Sequence, residues 1–373
     1  MTEMTLEDVL EVCLELAEPV GRVTMQESGP QGMRDGSAIS TQGIADAASG
    51  SQLILPGNTF QRIAAALTHS NVRLIGPPGT GKSTLAKAVL DAAVGDRHSF
   101  AVATGQWTGD DVIGGPIPDP RDAMSLVFQP GLVLAAAEQG KWVCIDEINR
   151  ADIDAAFGEL FGLLAGFDLE LPYHAEAGSE KRVRIYAERP AGVLESGEYG
   201  LPPGWRMIAT MNSWDKLSLN RVSFAFSRRW CTVFLPVPAP SDFEAILDQL
   251  WAQFLPEGPE ALKAALYYLF VSDVDDDGPT LRTIGMSMGP GIARSCLLDI
   301  AAMITAGISP GGALAYALEG FLLPQFEGAL EQHDALTRAL RAALALVSAP
   351  SELVDELEGK LAVFTGRRVS TRF

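Results

Sequence analysis

The sequence is poor in cysteine, and its cysteines are not grouped. Cys13, Cys144, Cys231 and Cys296 are widely separated, each lies among apolar residues, and no two form a C-x-x-C motif. This spacing excludes a disulfide framework. It predicts reduced core residues of an intracellular protein.

Long apolar runs are also missing. No stretch reaches the length of a membrane span, and the N-terminus lacks the basic-then-apolar pattern of an export signal. We therefore expect a cytoplasmic protein that does not associate with a membrane. With 47% hydrophobic and 20% charged residues, the composition is that of an ordinary globular protein, and 373 residues are enough for two or three domains.

Basic residues are scarce relative to acidic ones. The chain has 28 Lys and Arg against 47 Asp and Glu, a formal net charge of −19. Residues 237–347 alone hold 14 acidic and 5 basic residues, a net charge of −9. Since surfaces that bind nucleic acid are built from positive charge, we do not expect direct nucleic-acid binding. A basic or neutral protein partner fits this charge better.

The most informative stretch is NVRLIGPPGTGKST, residues 71–84. An apolar strand leads into a glycine-rich loop and a helix follows, which is the setting that the pattern G-x-x-x-x-G-K-[ST] requires. Backbone N–H groups of such a loop, with the positive end of the helix, surround a polyphosphate. Lys82 is expected to reach the β- and γ-phosphates, and the Ser83 hydroxyl to ligate Mg²⁺. The predicted nucleotide-contacting residues are Gly76, Pro77, Pro78, Gly79, Thr80, Gly81, Lys82, Ser83 and Thr84.

A second apolar run, residues 141–145, ends in two carboxylates, Asp146 and Glu147. Asp146 is expected to hold Mg²⁺ through its water shell, so Ser83 and Asp146 form the predicted metal site. Glu147 is expected to orient and deprotonate an attacking water. A merely solvated acidic strand end is the alternative, and the phosphate loop upstream argues against it. Asn212, at the end of the predicted fourth strand, would point into the same crevice as Asp146.

Strands alternate with helices five times up to residue 237, which predicts an α/β fold with a five-stranded parallel sheet flanked by helices. The strands are expected near residues 72–75, 98–104, 141–145, 205–211 and 232–237. Two short alternating runs predict a hairpin inserted at about 168–190. The polar, glycine-rich segment 105–120, which contains Trp107, is interpreted as a loop.

The periods after Pro238 are helical and predict an α-helical lid. The expected domains are an N-terminal helix and linker (1–50), a large nucleotide-binding domain (51–237), the lid (238–347) and a C-terminal tail with one more helix (348–373). The amphipathic segment 5–18 is expected to pack on the main body, with docking to a partner as the alternative. Residues 26–51 are interpreted as a linker or an ordered surface loop. A helix at 59–69 is a candidate wall for the base and ribose.

The motifs resemble those of the AAA+ ATPases and, within them, the MoxR and McrB branch. The similar stretches, within about residues 53–237, are GPPGTGKST, CIDEINRAD, FGELFGLL and LPPGWRMIATMN. The resemblance implies a P-loop AAA+ core followed by a helical lid. It also implies Mg²⁺ and ATP as cofactors, with GTP as the alternative nucleotide.

The same resemblance implies roles for several polar residues. Asn212 becomes the sensor that checks the γ-phosphate alongside Glu147. FAFSRRW is similar to the family's arginine-finger segment, so Arg229 would reach the nucleotide of a neighbouring subunit, with Arg228 as the backup candidate. Arg294, in GPGIARSCLL, resembles the second sensor of the lid, although Ile-Ala-Arg stands where Ser-Pro-Arg is usual.

Three functions remain open from these residues. The first is an ATP-driven remodeller similar to the MoxR-like chaperones, a homo-oligomer and expected hexameric ring that acts on a protein partner. The second is a motor subunit of a restriction or defence complex, similar to McrB, with specificity supplied by a partner chain. The third, a small-molecule kinase, is disfavoured because Glu147 suits activation of water. The arginine pair favours the first, since a finger for a neighbouring subunit has no use in a monomer.

Overall fold

The computed structural model describes residues 40–49, 53, 55, 58–119, 122–175, 180–190, 193–214, 224–274 and 278–367. All of them lie in one compact unit, Arg34–Phe373. The amphipathic segment 5–18 and the end of the tail beyond residue 367 lie outside the described residues.

Ten strands occur in the described part of the chain. In chain order they are β1 (Asn71–Gly76), β2 (His98–Val102), β3 (Gly114–Asp119), β4 (Asp122–Pro130), β5 (Trp142–Asp146), β6 (Leu169–His174), β7 (Arg182–Tyr186), β8 (Glu198–Gly200), β9 (Met207–Asn212) and β10 (Trp230–Phe234). They form three separate sheets of five, two and three strands.

The five-stranded sheet forms the centre of the α/β part. Its strand order is β10-β1-β9-β5-β2, and every neighbouring pair is parallel. The inner strands β1, β9 and β5 are nearly continuous apolar runs and are buried along most of their length, as a sheet covered on both faces requires. The predicted five-stranded parallel sheet is therefore confirmed, with strand ends shifted by a few residues. Because β1, β9 and β5 are adjacent, their carboxyl ends meet at one edge.

Among the described residues, seven helices accompany this sheet. They are α1 (Thr41–Ser49), α2 (Thr59–Leu67), α3 (Lys82–Val94), α4 (Gly109–Val112), α5 (Leu132–Glu138), α6 (Ile153–Leu164) and α7 (Phe224–Ser227). Helix α2 is the one predicted before the phosphate loop. Helix α1 lies where the sequence predicts a linker or surface loop, and that interpretation is wrong for residues 41–49. The Ser40 hydroxyl accepts the N–H of Gly43 at 2.9 Å and begins the helix, whose buried Ile44 faces the protein interior.

The segment interpreted as a loop after β2 is also ordered differently. It contains α4 and the whole of β3, which pairs antiparallel with β4. The interpretation was wrong because a polar, glycine-rich stretch can still form a strand where a partner strand, here β4, is available, and Pro116 and Pro118 do not prevent that pairing. A two-stranded ribbon has only edge strands, and an edge accepts proline where its missing N–H would face away from the partner. The glycine at the start of β3, Gly114, has a φ of 134°, which a residue with a side chain rarely adopts.

A second small sheet follows α6. Strands β6 and β7 pair antiparallel where the sequence predicts a hairpin, and β8 adds a third, parallel strand beside β7. Both small sheets are inserted between strands of the central sheet, so they leave its order unchanged.

The rest of the described chain is helical. The helices are α8 (Pro240–Phe254), α9 (Glu260–Phe270), α10 (Pro290–Thr305), α11 (Pro310–Ala317), α12 (His333–Leu346) and α13 (Ser351–Thr365), and shorter helical turns (Leu318–Leu322, Leu323–Phe326 and Leu330–Gln332) connect α11 to α12. They share one apolar core around Phe243, Phe270 and Phe326. Helix α13, in the predicted tail, contributes Leu357 and Leu361 to that core. The division into lid and tail stays a prediction. No helix in the described ranges is long and apolar enough to cross a membrane.

An aromatic cluster anchors the segment that carries the two predicted finger arginines. Phe226 of α7 is fully buried, and its ring centroid lies 5.6 Å from that of Phe161 and 5.3 Å from that of Trp230. The guanidinium of Arg73 lies over the same ring, 5.5 Å from its centroid. The cluster joins α6, α7, β1 and β10.

We expect Phe226→Ala to lower the free energy of unfolding by about 3–5 kcal/mol, because it removes a large side chain from a close-packed site. Phe234→Ala is the matched control on β10, where the ring is 61% exposed, and its effect is expected within about 0.5 kcal/mol. Denaturant titration of both variants measures the difference. Equal losses of stability would contradict the anchoring role of Phe226.

Candidate functional site

The phosphate loop connects β1 to α3 and curls back on itself. Gly79 and Gly81 have φ values of 73° and 82°, the left-handed conformation in which glycine carries no steric penalty. The side chain of Lys82 is 9% exposed, and its Nζ donates hydrogen bonds to the carbonyl oxygens of Gly76 at 3.0 Å and Pro77 at 2.8 Å. The ammonium is thus held inside the curve of the loop, where a phosphate oxygen would meet it.

Burial destabilises the charged form of Lys82. Burial lowers the pKa of Lys82 to about 8, while the carboxylates of Glu147 and Asp146 oppose that shift. A buried cation close to two anions is an arrangement suited to an anionic ligand, whose charge compensates the desolvated ammonium.

Asp146, at the end of β5, meets Ser83 at the start of α3. The Ser83 hydroxyl donates a hydrogen bond to Asp146 Oδ1 at 2.7 Å. A hydroxyl and a carboxylate at the carboxyl edge of a parallel sheet are oxygen ligands of the kind that Mg²⁺ takes, in small number, beside its waters and a phosphate. The two residues predicted as metal ligands therefore lie together and fit that ion.

Thr210 is a third member of this group and was missed from the sequence. It lies on β9, is fully buried, and donates its hydroxyl hydrogen to Asp146 Oδ1. The same hydroxyl oxygen accepts the backbone N–H of Glu147 at 2.9 Å. One signal was available: Thr210 is the single polar residue inside the apolar run MIATM.

Glu147 follows β5 in a sparsely populated backbone conformation. Its φ of 50° and ψ of 47° are left-handed, which is uncommon for a residue with a side chain. A short helical turn, Ile148–Arg150, follows directly, and the Arg150 guanidinium forms an ion pair with the Glu147 carboxylate. In this state the carboxylate predicted to activate water is held by an arginine three residues along the chain.

Asn212 ends β9 beside the phosphate loop. It is the register partner of Gly76, the last residue of β1. Its side-chain Oδ1 accepts the N–H of Trp214 at 3.1 Å. The predicted sensor thus lies at the same edge of the sheet as the loop.

The two finger candidates lie at the opposite end of the strands, where the amino ends of β1 and β10 meet. Arg228 and Arg229 precede β10, which pairs in parallel with β1. A five-residue strand rises about 3.3 Å per residue, so the length of β10, roughly 16 Å, separates them from the loop edge. Arg229 Nε donates to the carbonyl oxygen of Phe161 at 2.6 Å, and its guanidinium lies 5.9 Å from the centroid of that ring. Arg229 is therefore half-buried against α6 and does not extend freely toward a neighbouring subunit.

Arg228, by contrast, is exposed. Both arginines line a cavity of about 580 Å³, together with His69, Ser70, Asn71, Leu164 and Ala165. The structure thus brings neither arginine to the phosphate loop of its own chain.

The first residues of α10 dock directly on the phosphate loop. The N–H of Gly289 donates to the carbonyl oxygen of Pro78 at 2.8 Å, and the N–H of Gly291 donates to that of Gly79 at 2.9 Å. A Cβ on Gly289 would lie 2.2 Å from the backbone carbon of Gly79. Only a glycine permits this approach. Arg294, one turn further on, is exposed, and its guanidinium lies 5.4 Å from the centroid of the Phe254 ring.

Comparison with known proteins gives a family match for the part of the chain that holds most of this site. The family model of the AAA domain, dynein-related subfamily, matches residues 71–230. The matched segment is therefore similar to an AAA domain. It runs from β1 to the first residue of β10 and so contains the phosphate loop, the Asp146-Glu147 pair, Asn212 and Arg229. Together with the observed strand order it gives the chain the AAA+ fold. Its place in the MoxR or McrB branch stays a prediction, and no curated protein matches the chain.

Solved structures similar to the chain are distant. NtrX from Brucella abortus in complex with ATP is 14% identical with a TM-score of 0.41, over 86% of this chain and 73% of that one. The same protein in complex with ADP gives 15% and 0.40, over 86% and 72%. A point mutant of Thermotoga maritima RuvB gives 15% and 0.41, over 90% and 91%.

Gly289→Ala tests the contact between α10 and the phosphate loop. We expect it to lower the free energy of unfolding by about 1–3 kcal/mol, because the added methyl group overlaps the loop backbone. Gly359→Ala is the control, since a Cβ there meets no atom within 4 Å. In mid-helix that change is expected to raise stability by about 0.5–1 kcal/mol. Thermal unfolding compares the two, and a Gly289→Ala variant as stable as the control would show that the contact is not formed.

Proposed function

We propose that the chain is a Mg²⁺-dependent nucleoside triphosphatase, with ATP as its nucleotide. The observation that carries this proposal is the meeting of three groups at one edge of the sheet: the loop ammonium of Lys82, the Ser83–Asp146 pair, and the carboxylate of Glu147. The match of residues 71–230 to an AAA domain supports it.

Each residue has a definable part in hydrolysis. The loop N–H groups and Lys82 bind the β- and γ-phosphates, and Lys82 exchanges its carbonyl partners for phosphate oxygens. Ser83 and Asp146 hold Mg²⁺, which when bound neutralises charge that develops on the phosphates. Glu147 releases Arg150, orients a water and accepts its proton. Asn212, beside the loop, contacts the γ-phosphate.

We further propose that the active site is completed between subunits of a homo-oligomeric ring. Charge builds up on the γ-phosphate oxygens during transfer, and an arginine that neutralises it is worth about 10³–10⁵ in rate. Arg228 and Arg229 are separated from their own loop by the length of β10, which supports a role for them at the loop of a neighbouring subunit. Arg229 would have to leave Phe161 to act, whereas Arg228 is already exposed.

The biological role that we favour is that of a MoxR-like chaperone. Hydrolysis would be coupled to the remodelling or assembly of a protein partner. The acidic lid favours a basic or neutral partner over nucleic acid. The alternative is a McrB-like motor subunit, driven by GTP or ATP, in a restriction or defence complex.

Glu147→Gln tests the chemistry. We expect turnover to fall by about 10²–10⁴, because the amide can position water but cannot accept its proton. Nucleotide affinity should stay within a few fold. Glu170→Gln on β6 makes the same change on an exposed carboxylate and should leave turnover unchanged. Steady-state turnover and calorimetric binding give both numbers, and wild-type turnover in Glu147→Gln would remove Glu147 from the mechanism.

Lys82→Ala should instead weaken nucleotide binding itself, since it deletes the charge paired with the phosphates. The same calorimetric measurement of nucleotide affinity tests this expectation.

Mixing variants tests the site between subunits. Hydrolysis per chain should rise with protein concentration, and Arg229→Ala should abolish that rise while nucleotide affinity stays within a few fold. Mixed Arg229→Ala and Lys82→Ala chains should regain activity, because one interface then combines an intact loop with an intact finger. Arg228→Ala is assayed in parallel to decide which arginine acts, and Arg338→Ala, an exposed arginine of α12, is the control. Activity per chain that is flat over the whole concentration range, with no gain on mixing, would count against the proposal.

A further inference from the structure

Thr210 occupies a position where a hydroxyl is unusual. It lies in the middle strand of the five, between β1 and β5, and its exposed fraction is zero. The strand residues on either side of it, up to Met211, are apolar, and the strand then ends in Asn212. A hydroxyl buried at such a position must have its hydrogen-bonding capacity used, since an unmet polar group there destabilises the fold.

Both partners of Thr210 belong to the two residues that carry the proposed chemistry. Its hydroxyl hydrogen goes to Asp146 Oδ1, and its oxygen accepts the N–H of Glu147 at 2.9 Å. A hydroxyl has a single hydrogen, so Asp146 takes the whole donor capacity of Thr210.

The bond to Asp146 fixes the orientation of that carboxylate. Asp146 Oδ1 accepts from two directions, Ser83 on α3 and Thr210 on β9. Ser83 is itself a predicted metal ligand, so its hydroxyl must reorient when a cation binds. The bond from Thr210 does not depend on that change, and it keeps the carboxylate in place while Ser83 turns.

The hydrogen bond from the N–H of Glu147 fixes the backbone just before the helical turn Ile148–Arg150. Glu147 has a left-handed φ of 50°, a conformation that persists only where its surroundings hold it. The N–H of Glu147 donates to Thr210, so the same side chain that orients Asp146 also holds this conformation. The direction in which the Glu147 side chain leaves the strand follows from it.

We propose that Thr210 is a positioning residue that orients Asp146 toward Mg²⁺ and Glu147 toward water through one buried hydroxyl. This inference rests on the proposed nucleoside triphosphatase function. It extends that function to a residue that touches neither nucleotide nor metal and acts only through its two carboxylate neighbours.

The test replaces Thr210 by valine, which keeps the shape and removes the hydroxyl, and by serine, which keeps the hydroxyl. Thr280→Val is the matched control. Thr280 is also fully buried, and its hydroxyl likewise donates once, to the Ser272 carbonyl oxygen at 2.7 Å, and accepts once, from the Thr283 N–H. Thr280 lies between α9 and α10, away from the central sheet, so Thr280→Val reports only the effect of removing a buried hydroxyl.

Two readouts are measured on the full chain. Calorimetry gives the affinity for ADP with Mg²⁺ and with EDTA, and a turnover assay gives kcat and KM for ATP. We expect Thr210→Val to lower kcat by roughly 10- to 100-fold, with KM within a few fold, as for loss of a group that orients metal ligands. It should also reduce the gain in ADP affinity that Mg²⁺ provides, with no change in EDTA. Thr210→Ser should restore both values to within a few fold of wild type, and Thr280→Val should change neither.

Three results would overturn the inference. Thr210→Val could match wild type in kcat and in the Mg²⁺-dependent gain, or Thr280→Val could lose as much as Thr210→Val. Failure of Thr210→Ser to recover either value would likewise assign Thr210 a packing role. If the valine variant does not fold, the serine variant alone tests the inference in this way. A wild-type chain without turnover would refute the proposed function instead, and the Mg²⁺-dependent gain in ADP affinity would then decide the inference alone.

Discussion

A single carboxylate oxygen joins three elements of the core. Asp146 Oδ1, at the end of β5, accepts hydrogen bonds from Ser83 at the start of α3 and from Thr210 on β9. The parallel order β1-β9-β5 makes this meeting unavoidable, because adjacent parallel strands end at the same edge. The phosphate loop therefore faces a carboxylate that hydrogen bonds from two neighbouring elements hold.

The phosphate loop is also where the helical part meets the sheet. Gly289 and Gly291 donate backbone hydrogen bonds to the carbonyl oxygens of Pro78 and Gly79. These bonds tie the start of α10 directly to the backbone of the phosphate loop.

The sequence predicted those features whose physical cause is local. A glycine-rich turn between strand and helix, and an apolar run that ends in two acids, give the loop and the Asp146-Glu147 pair. The hairpin β3–β4 was missed, because its prolines and glycines look like a loop until pairing supplies a partner strand. Thr210 was missed since its importance arises from β9 lying beside β5, a relation between distant segments. The contact of Arg229 with Phe161 likewise depends on packing of α6 that no periodicity reveals.

We propose that these residues hydrolyse a nucleoside triphosphate with Mg²⁺. The most direct measurement is turnover by the purified wild-type chain with each of ATP, GTP, CTP and UTP, in Mg²⁺ and in EDTA, over a range of protein concentrations. We expect phosphate release from ATP in Mg²⁺, little or none in EDTA, and a rate per chain that rises with protein concentration. GTP turned over faster than ATP would favour the McrB-like alternative. Absence of turnover with all four nucleotides at every concentration would rule out the proposed activity.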